Sequence, residues 1–320
     1  METRQLGTTD MKITRLGFGA WAIGGGDWEF SWGPQDEQKS IAAIRRALDL
    51  GINWIDTAAA YGLGHSEEVV ARALKGISHR PYVFTKGGLV GERHSIQRSL
   101  KAASLKKEID GSLRRLEVDT IDLYQIHWPT EDLEEGWRTL ADARRAGKVR
   151  WIGVSNFDVA HMNAIRKIAP VHTLQPPYSL LSREVEKQIL PFALQNNIGV
   201  IVYSPMASGL LSGAMSRERI NNFPPDDWRR TKSPWFREPA LTWNLKLADL
   251  VKDIGRGQGR TAGEVAIAWT LRNPAVTGAI VGIRAPEQLD GVIGAADLKL
   301  SAADIGRIDA YFAERSKTAA

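Results

Sequence analysis

A chain of 320 residues exceeds the usual single-domain size, but α/β barrels run this long as one unit, and the length is ample for a core. It has no cysteine, which excludes a disulfide framework and any thiolate metal site. The net charge of +5 is spread among acidic residues, and no apolar run suits a signal peptide or a membrane span. The expectation is a soluble, cytoplasmic protein that binds neither nucleic acid nor membrane.

Residues 3–17 read as a short hairpin turning near Thr8-Thr9-Asp10. Leu16-Gly17-Phe18-Gly19-Ala20 is the first buried strand. Residues 36–50 carry Ile41, Ile44 and Leu48 at helical spacing. The second strand, Ile52-Asn53-Trp54-Ile55, ends in Asp56, and Tyr61 lies five residues on. A helix over 66–74 follows, with Ser66 as its N-cap. The third strand, Tyr82-Val83-Phe84-Thr85, ends in Lys86. A helix over about 96–116 leads to the fourth strand, 121–126, which ends in His127.

Asp132-Leu133-Glu134-Glu135 has capping-box spacing, and its helix stops at Gly147. Strand five is 149–154. A helix over 159–168 precedes strand six near His172-Thr173-Leu174. A helix over 184–195 precedes strand seven, 198–203, and strand eight is 278–281. Late helices start near Trp243, at a second capping box Thr261-Ala262-Gly263-Glu264, at Pro286 and at Ser301. Strands alternating with helices eight times predict a (β/α)8 TIM barrel, one domain over 1–320, with an N-terminal β-hairpin. A doubly wound sheet would need a glycine-rich turn opening a helix after strand one, and none is there. Gly255-Arg256-Gly257-Gln258-Gly259 follows a helix and reads as a connector.

Residues 212–242 break the rhythm with four prolines and little periodicity. This long loop after strand seven hangs over the presumed active face. It carries Arg217, Arg219, Arg229, Arg230, Lys232 and Arg237.

In such a barrel, side chains at the C-terminal ends of neighbouring strands converge. Asp56, Tyr61, Lys86 and His127 would therefore meet on one sector. Each alone has an ordinary structural explanation. Together they form a device for moving a proton to or from an oxygen. An ammonium beside a phenol lowers its pKa, a carboxylate holds the ammonium, and an imidazole orients the oxygen's other substituent. No redox group belongs to the chain, so a hydride must come from a cofactor. A metal-dependent hydrolase needs several histidines or carboxylates at strand ends, and only His127 is well placed, so no metal is expected.

The segment from Trp54 through Asp56-Thr57-Ala58-Ala59-Ala60-Tyr61-Gly62 to Glu67 resembles the signature of the aldo-keto reductases. Thr85-Lys86, Gln125-Ile126-His127-Trp128-Pro129, Gly153-Val154-Ser155-Asn156-Phe157, the run from Gln175 to Leu181 and Tyr203-Ser204-Pro205 match as well. Residues 19–25 and Asp226-Asp227-Trp228-Arg229 are most similar to the bacterial general-stress and potassium-channel-β-like branches.

The resemblance implies a catalytic tetrad of Asp56, Tyr61, Lys86 and His127, with Tyr61 the general acid in NADPH-dependent reduction of aldehydes or ketones. It implies that Ser155, Asn156 and Gln175 hold a nicotinamide carboxamide and that Tyr203 stacks on its ring. Ser204, Met206, Ser208 and Leu210 would begin the loop along the pyrophosphate, with Arg230 in its basic cluster. Gly282-Ile283-Arg284 leads to the helix at Pro286, where Arg284 and Gln288 would grip the adenosine 2′-phosphate, giving NADPH preference over NADH. The chain departs from many relatives at Gly291, Val292 and Ala214, which loosens the expected grip on adenine. Trp21 and Trp128 are the expected substrate-pocket walls, with Trp28, Trp32, Trp228 and Trp235 in loops within reach. The partner is a small-molecule carbonyl substrate. A regulatory cofactor sensor with slow turnover, like the potassium-channel β-subunits, is the alternative.

Overall fold

Trp54 decides what fills the bottom of the molecule. Its indole is fully buried and donates Nε1 to Thr14 O at 2.9 Å. A Cβ at Gly17 would overlap the ring, and one at Gly278 would meet it at 3.0 Å. Leu6, Met11, Ile13, Phe84, Leu123, Ile201 and Ile280 close around it as a separate apolar cluster. Each such side chain contributes roughly 1.5–3 kcal/mol on burial.

The structure is a computed structural model and describes residues 1–225 and 227–318. Asp226, part of the 226–229 motif, lies outside the described residues. The N-terminal hairpin is β1 (Thr3–Gln5) and β2 (Lys12–Thr14), antiparallel as expected. The barrel strands are β3 (Leu16–Gly19), β4 (Trp54–Asp56), β5 (Tyr82–Gly87), β8 (Ile121–Ile126), β9 (Val149–Ser155), β10 (Thr173–Gln175), β11 (Gly199–Val202) and β12 (Val276–Gly282). They close in the order β10-β11-β12-β3-β4-β5-β8-β9, all parallel. The larger core lies between this barrel and its ring of helices. The eight-stranded closed barrel and the hairpin are the architecture that the alternation of patterns predicts.

Several expectations fail locally, each for a physical reason. The helix drawn over 96–116 is shorter, Ala102–Leu116. Residues 89–98 instead form an antiparallel excursion, β6 (Leu89–Glu92) and β7 (Ser95–Arg98). The Asp132 side chain makes no cap bond; Glu135 accepts from Ala102 N at 2.6 Å and so caps the neighbouring helix. Ser66 is inside its helix rather than at the cap, which is Gly64 at φ +102°. Its hydroxyl donates to Ala20 O at 2.8 Å and pins the end of β3. The helix expected over 184–195 splits into a 3-10 turn Glu184–Glu186 and a helix Ile189–Gln195. Pro191 cannot sit inside a longer helix, because its ring meets the carbonyl four residues back. Gly255 and Gly257 end the helix Ala240–Gly257 instead of forming a free connector. The Thr261–Glu264 capping box forms with both bonds. The 212–242 loop holds short helices Arg217–Asn221 and Trp228–Thr231 and a 3-10 turn Pro234–Phe236.

Below the barrel, His172 is buried against Trp151, ring centroids 4.7 Å apart. Arg144 has only donors, so its 2.8 Å contact makes His172 Nε2 the acceptor and Nδ1–H the donor to Thr8 Oγ1 at 2.9 Å. Burial, then Arg144, pushes the imidazole down to about 4. A depressed histidine contributes stability that is fully present above 6.5 and is lost as pH falls towards 4, roughly 3 kcal/mol over that window. Chemical denaturation at pH 7.5 and 4.5 should show a smaller loss for His172→Gln than for the natural protein. Equal losses in both would remove His172 from the acid response.

Candidate active site

Barrel register brings the strand-end residues together. Asp56 ends β4 and lies opposite Gly19 of β3 and Phe84 of β5. Lys86 lies opposite Gln125 of β8, and His127 follows β8 by one residue. Tyr61 opens a 3-10 turn, Tyr61–Gly64, whose Gly62 (φ +60°) approaches Gly24 too closely for any Cβ.

Lys86 is fully buried, and its ammonium has an acceptor for each of its three protons. It donates to Asp56 Oδ1 at 2.5 Å, Thr57 O at 2.9 Å and Tyr61 Oη at 3.3 Å. Asp56 Oδ2 accepts from Gln175 Nε2 at 2.8 Å. Burial works against the lysine's charge, but Asp56 and Tyr61 outweigh it, so its pKa is raised and it stays an ammonium. Lys86 pulls the Tyr61 phenol down, as expected. Burial is the larger influence, however, and the phenol stands above its ordinary value. The expectation of a lowered phenol pKa from the ammonium alone is thereby reversed. Burial, then Lys86 and Arg98, holds His127 well below the usual imidazole value, so it is neutral at pH 7. Its ring meets Tyr61 edge-on at 5.7 Å, and its buried Nδ1 has no hydrogen-bond partner among the described residues.

Beside this group lies a second network. Ser155 ends β9 and Gln175 ends β10, opposite each other in register. Asn156 (φ +63°) donates Nδ2 to His127 O and to Ser155 Oγ, both at 3.0 Å. Tyr203, just past β11, donates to Asn156 Oδ1 at 2.8 Å, and Ser155 Oγ donates to Gln175 O at 2.9 Å. These side chains offer amide and hydroxyl groups of both polarities, which fits a carboxamide. Ser204 and Ser208 have φ of +55° and +58°, so the chain after β11 turns sharply. Met206 packs partly buried against the core and Leu210 is fully buried in it, so Leu210 has no side-chain surface to offer a ligand.

Beyond β12, Gly282 ends the strand. Arg284 donates Nε to Gln35 Oε1 at 2.6 Å and Nη2 to Pro34 O at 2.8 Å. Gln288 turns back to accept from Arg284 N at 2.7 Å and Ala285 N at 3.3 Å, so it caps the short 3-10 turn Pro286–Gly291. Arg284 is held below its ordinary pKa by burial and then by Arg229, with Asp227 opposing. An anion at this spot would relieve the unfavourable influence of Arg229 on Arg284. Arg229 is braced by Asp227 at 2.6 Å and lies over the rings of Trp32 and Phe223 at 4.5 and 4.0 Å. Arg230 is exposed and donates to Phe223 O at 3.2 Å. Val292 is buried and Gly291 O accepts from Thr261 Oγ1 at 2.6 Å, so neither offers a polar side chain outward.

Aromatic rings roof the site more extensively than Trp21 and Trp128 alone. Trp28 lies 6.1 Å from Tyr61, and Trp21 contacts Trp28, Trp32 and Trp228 at 6.4, 5.4 and 5.8 Å. Trp128 stacks near His127, with Arg98 over its outer face. Trp235 packs on the hydrophobic core. The loop after β3, the β6–β7 excursion and the long loop after β11 meet at Glu29, which accepts from Ile96 N at 3.1 Å and pairs with Lys232 at 3.5 Å. Among the described residues, no cluster of histidines and carboxylates could hold a metal ion, and no helix is long and apolar enough to cross a membrane.

A closed barrel with an ammonium, phenol, carboxylate and imidazole at adjoining strand ends defines a class. The Aldo/keto reductase family model matches residues 15–312, and the chain belongs to that family of oxidoreductases, whose members use nicotinamide cofactors. Aldo-keto reductase YhdN of Bacillus subtilis is 39% identical over 91% of this chain and 88% of its own. The NADH-specific methylglyoxal reductase of Escherichia coli is 34% identical over 95% and 96%. Among solved structures, the glycerol dehydrogenase of Gluconobacter oxydans superposes with a TM-score of 0.89 at 38% identity, covering 98% of this chain and 95% of that one. An aldo/keto reductase of Klebsiella pneumoniae in complex with NADP and acetate gives 0.74 at 26%, covering 97% and 95%.

Proposed function

We propose that the chain, acting as one barrel domain, reduces aldehydes or ketones to alcohols with NADPH. The observation that carries this reading is the hydrogen-bond chain from buried Asp56 through buried Lys86 to the half-buried Tyr61, beside a neutral His127. When bound, a reduced nicotinamide supplies the hydride. Ser155, Asn156 and Gln175 would hold its carboxamide and Tyr203 its ring. Tyr61 gives its proton to the carbonyl oxygen, and Lys86 stabilises the phenolate left behind. Neutral His127 donates one hydrogen bond to the same oxygen and fixes its position. Asp56 keeps Lys86 charged and in place. The indole roof of Trp21, Trp28 and Trp128 excludes water from the reacting carbon.

Steady-state turnover over a panel of aldehydes, dicarbonyls and sugars, with each cofactor, tests the reading. Binding of NADPH with only very slow turnover on every carbonyl would favour the cofactor-sensing role instead.

The finer claim is cofactor choice, and the relatives differ on it: one is NADH-specific by name and another was solved with NADP. The place of Arg284 just past β12, with Arg229 acting against its charge, supports a phosphate bound at Arg284. A charged, bidentate contact of this kind is worth about 1.5–3 kcal/mol. Arg284→Ala should weaken NADPH by roughly 10–100-fold and leave NADH nearly unchanged, as read by titrating cofactor fluorescence. Equal weakening of both would mean that Arg284 serves only to tether Pro34 and Gln35.

A further inference from the structure

The chain leaves the barrel after Lys86 through two glycines. Gly87 ends β5, and Gly88 bends at φ +92° into the β6–β7 excursion. A Cβ at Gly88 would press on Leu100 Cδ2 at 2.6 Å, so both conformation and space demand glycine there. Two bonds tie this bend to the candidate active site, and a third ties it to the helix behind. Lys86 O accepts from Ala59 N at 3.2 Å, two residues before Tyr61. Gly87 O accepts from His127 N at 2.9 Å. Gly88 N donates to the Glu108 carboxylate, Oε2, at 2.9 Å.

Glu108 belongs to the helix Ala102–Leu116, behind the strand and outside the proton-transfer group. We propose that Glu108 is a positioning residue: by holding the Gly88 amide, its carboxylate fixes the bend that sets the backbone of Lys86 and His127. The inference rests on the reading of those two residues given above. A carboxylate is a stronger acceptor than a carboxylic acid, because a charge-assisted bond is roughly twice as strong as a neutral one. Protonation therefore slackens the hold.

The surroundings put that change within reach. Glu108 is half-buried, and its other oxygen accepts only a long bond, 3.3 Å, from Ser104. Burial, with some repulsion from Glu67, pushes the carboxyl up to about 7 against the Gly88 amide, Ser104 and Arg115. The facing groups are Arg115 on its own helix, Glu67 on the helix His65–Leu74 and Tyr124 on β8. Arg115 is already engaged by Glu67 at 2.7 Å, so it does not neutralise Glu108 fully. The Tyr124 phenol is pushed well above its usual value and does not titrate near neutrality. Neither does Tyr61, which is raised, nor His127, which is lowered far below 6.5.

Two readouts test the proposal, one of which needs no turnover. In amide NMR of the full chain, the Gly88 and His127 backbone signals should both shift with a midpoint near pH 7. In Glu108→Gln, which keeps an acceptor oxygen but cannot titrate, both shifts should vanish. In parallel, kcat for carbonyl reduction should fall by roughly tenfold from pH 8 to pH 6 in the natural protein and stay flat in Glu108→Gln. A Gly88 shift without a His127 shift overturns the proposal, since the bend would then not reach the site. So does an acid limb that persists in Glu108→Gln. Absence of any carbonyl turnover in the natural protein would sink the proposed function, whereas the amide titration would still decide whether Glu108 controls the bend.

Discussion

Tyr61→Phe is expected to reduce carbonyls about 10²–10⁴-fold more slowly than the natural protein, the usual contribution of a positioned general acid. The change removes one oxygen and nothing else. The phenyl ring still packs 6.1 Å from Trp28 and 5.7 Å from His127, and Lys86 still lies 5.1 Å from its centre. Lys86 keeps its stronger acceptors, Asp56 and Thr57 O, so the fold and cofactor affinity should survive. Stopped-flow reduction of an aldehyde, alongside cofactor titration, separates the two effects. Near-normal turnover would remove Tyr61 from the proton path.

Lys86→Met is expected to fail twice. It leaves Asp56, 3% exposed, without its cation, and breaking a buried pair costs about 3–5 kcal/mol. The cost falls if Asp56 takes up a proton, which burial already favours. The substitution also removes the one group that pulls the Tyr61 phenol down against burial. Alcohol oxidation, which needs phenolate, should therefore have the rising limb of its pH profile moved to higher pH. Adding Asp56→Asn should recover stability but not activity. A melting temperature and a pH profile both unchanged in Lys86→Met would sink the assigned roles.

The strand ends were legible because β-branched and aromatic runs stop at a polar residue, as with Ile55-Asp56 and Ile126-His127. Barrel closure then dictates which of them meet. Long-range polar pairing leaves no such trace. Glu135 caps a helix 33 residues away, and nothing local in Asp132-Leu133-Glu134-Glu135 distinguishes that from a capping box. Arg284 was visible as a cation past strand eight, but its bonds to Pro34 and Gln35 span about 250 residues. The β6–β7 excursion was missed because Ile96 and Leu100 stand at helical spacing just ahead of a true helix. The signal was present in Gly87-Gly88 and Gly91, which break any helix and allow a bend. The influence of burial on the Tyr61 phenol was not legible, because the destination of a loop tryptophan such as Trp28, 6.1 Å from that ring, is set by tertiary packing.

Trp54 at the barrel floor also constrains how this sequence can drift. Its ring occupies the space that side chains at Gly17 and Gly278 would take, on two other strands. The three positions share one volume. A methyl at 17 is unacceptable while the indole is present, and a smaller residue at 54 leaves a void costing about 3–5 kcal/mol in a rigid core. Each step is costly alone, although the added methyl fills part of the space that the indole vacates. Gly17→Ala combined with Trp54→Leu should cost less than the two single changes added together. The floor can thus be rewritten only by coupled substitution across three strands.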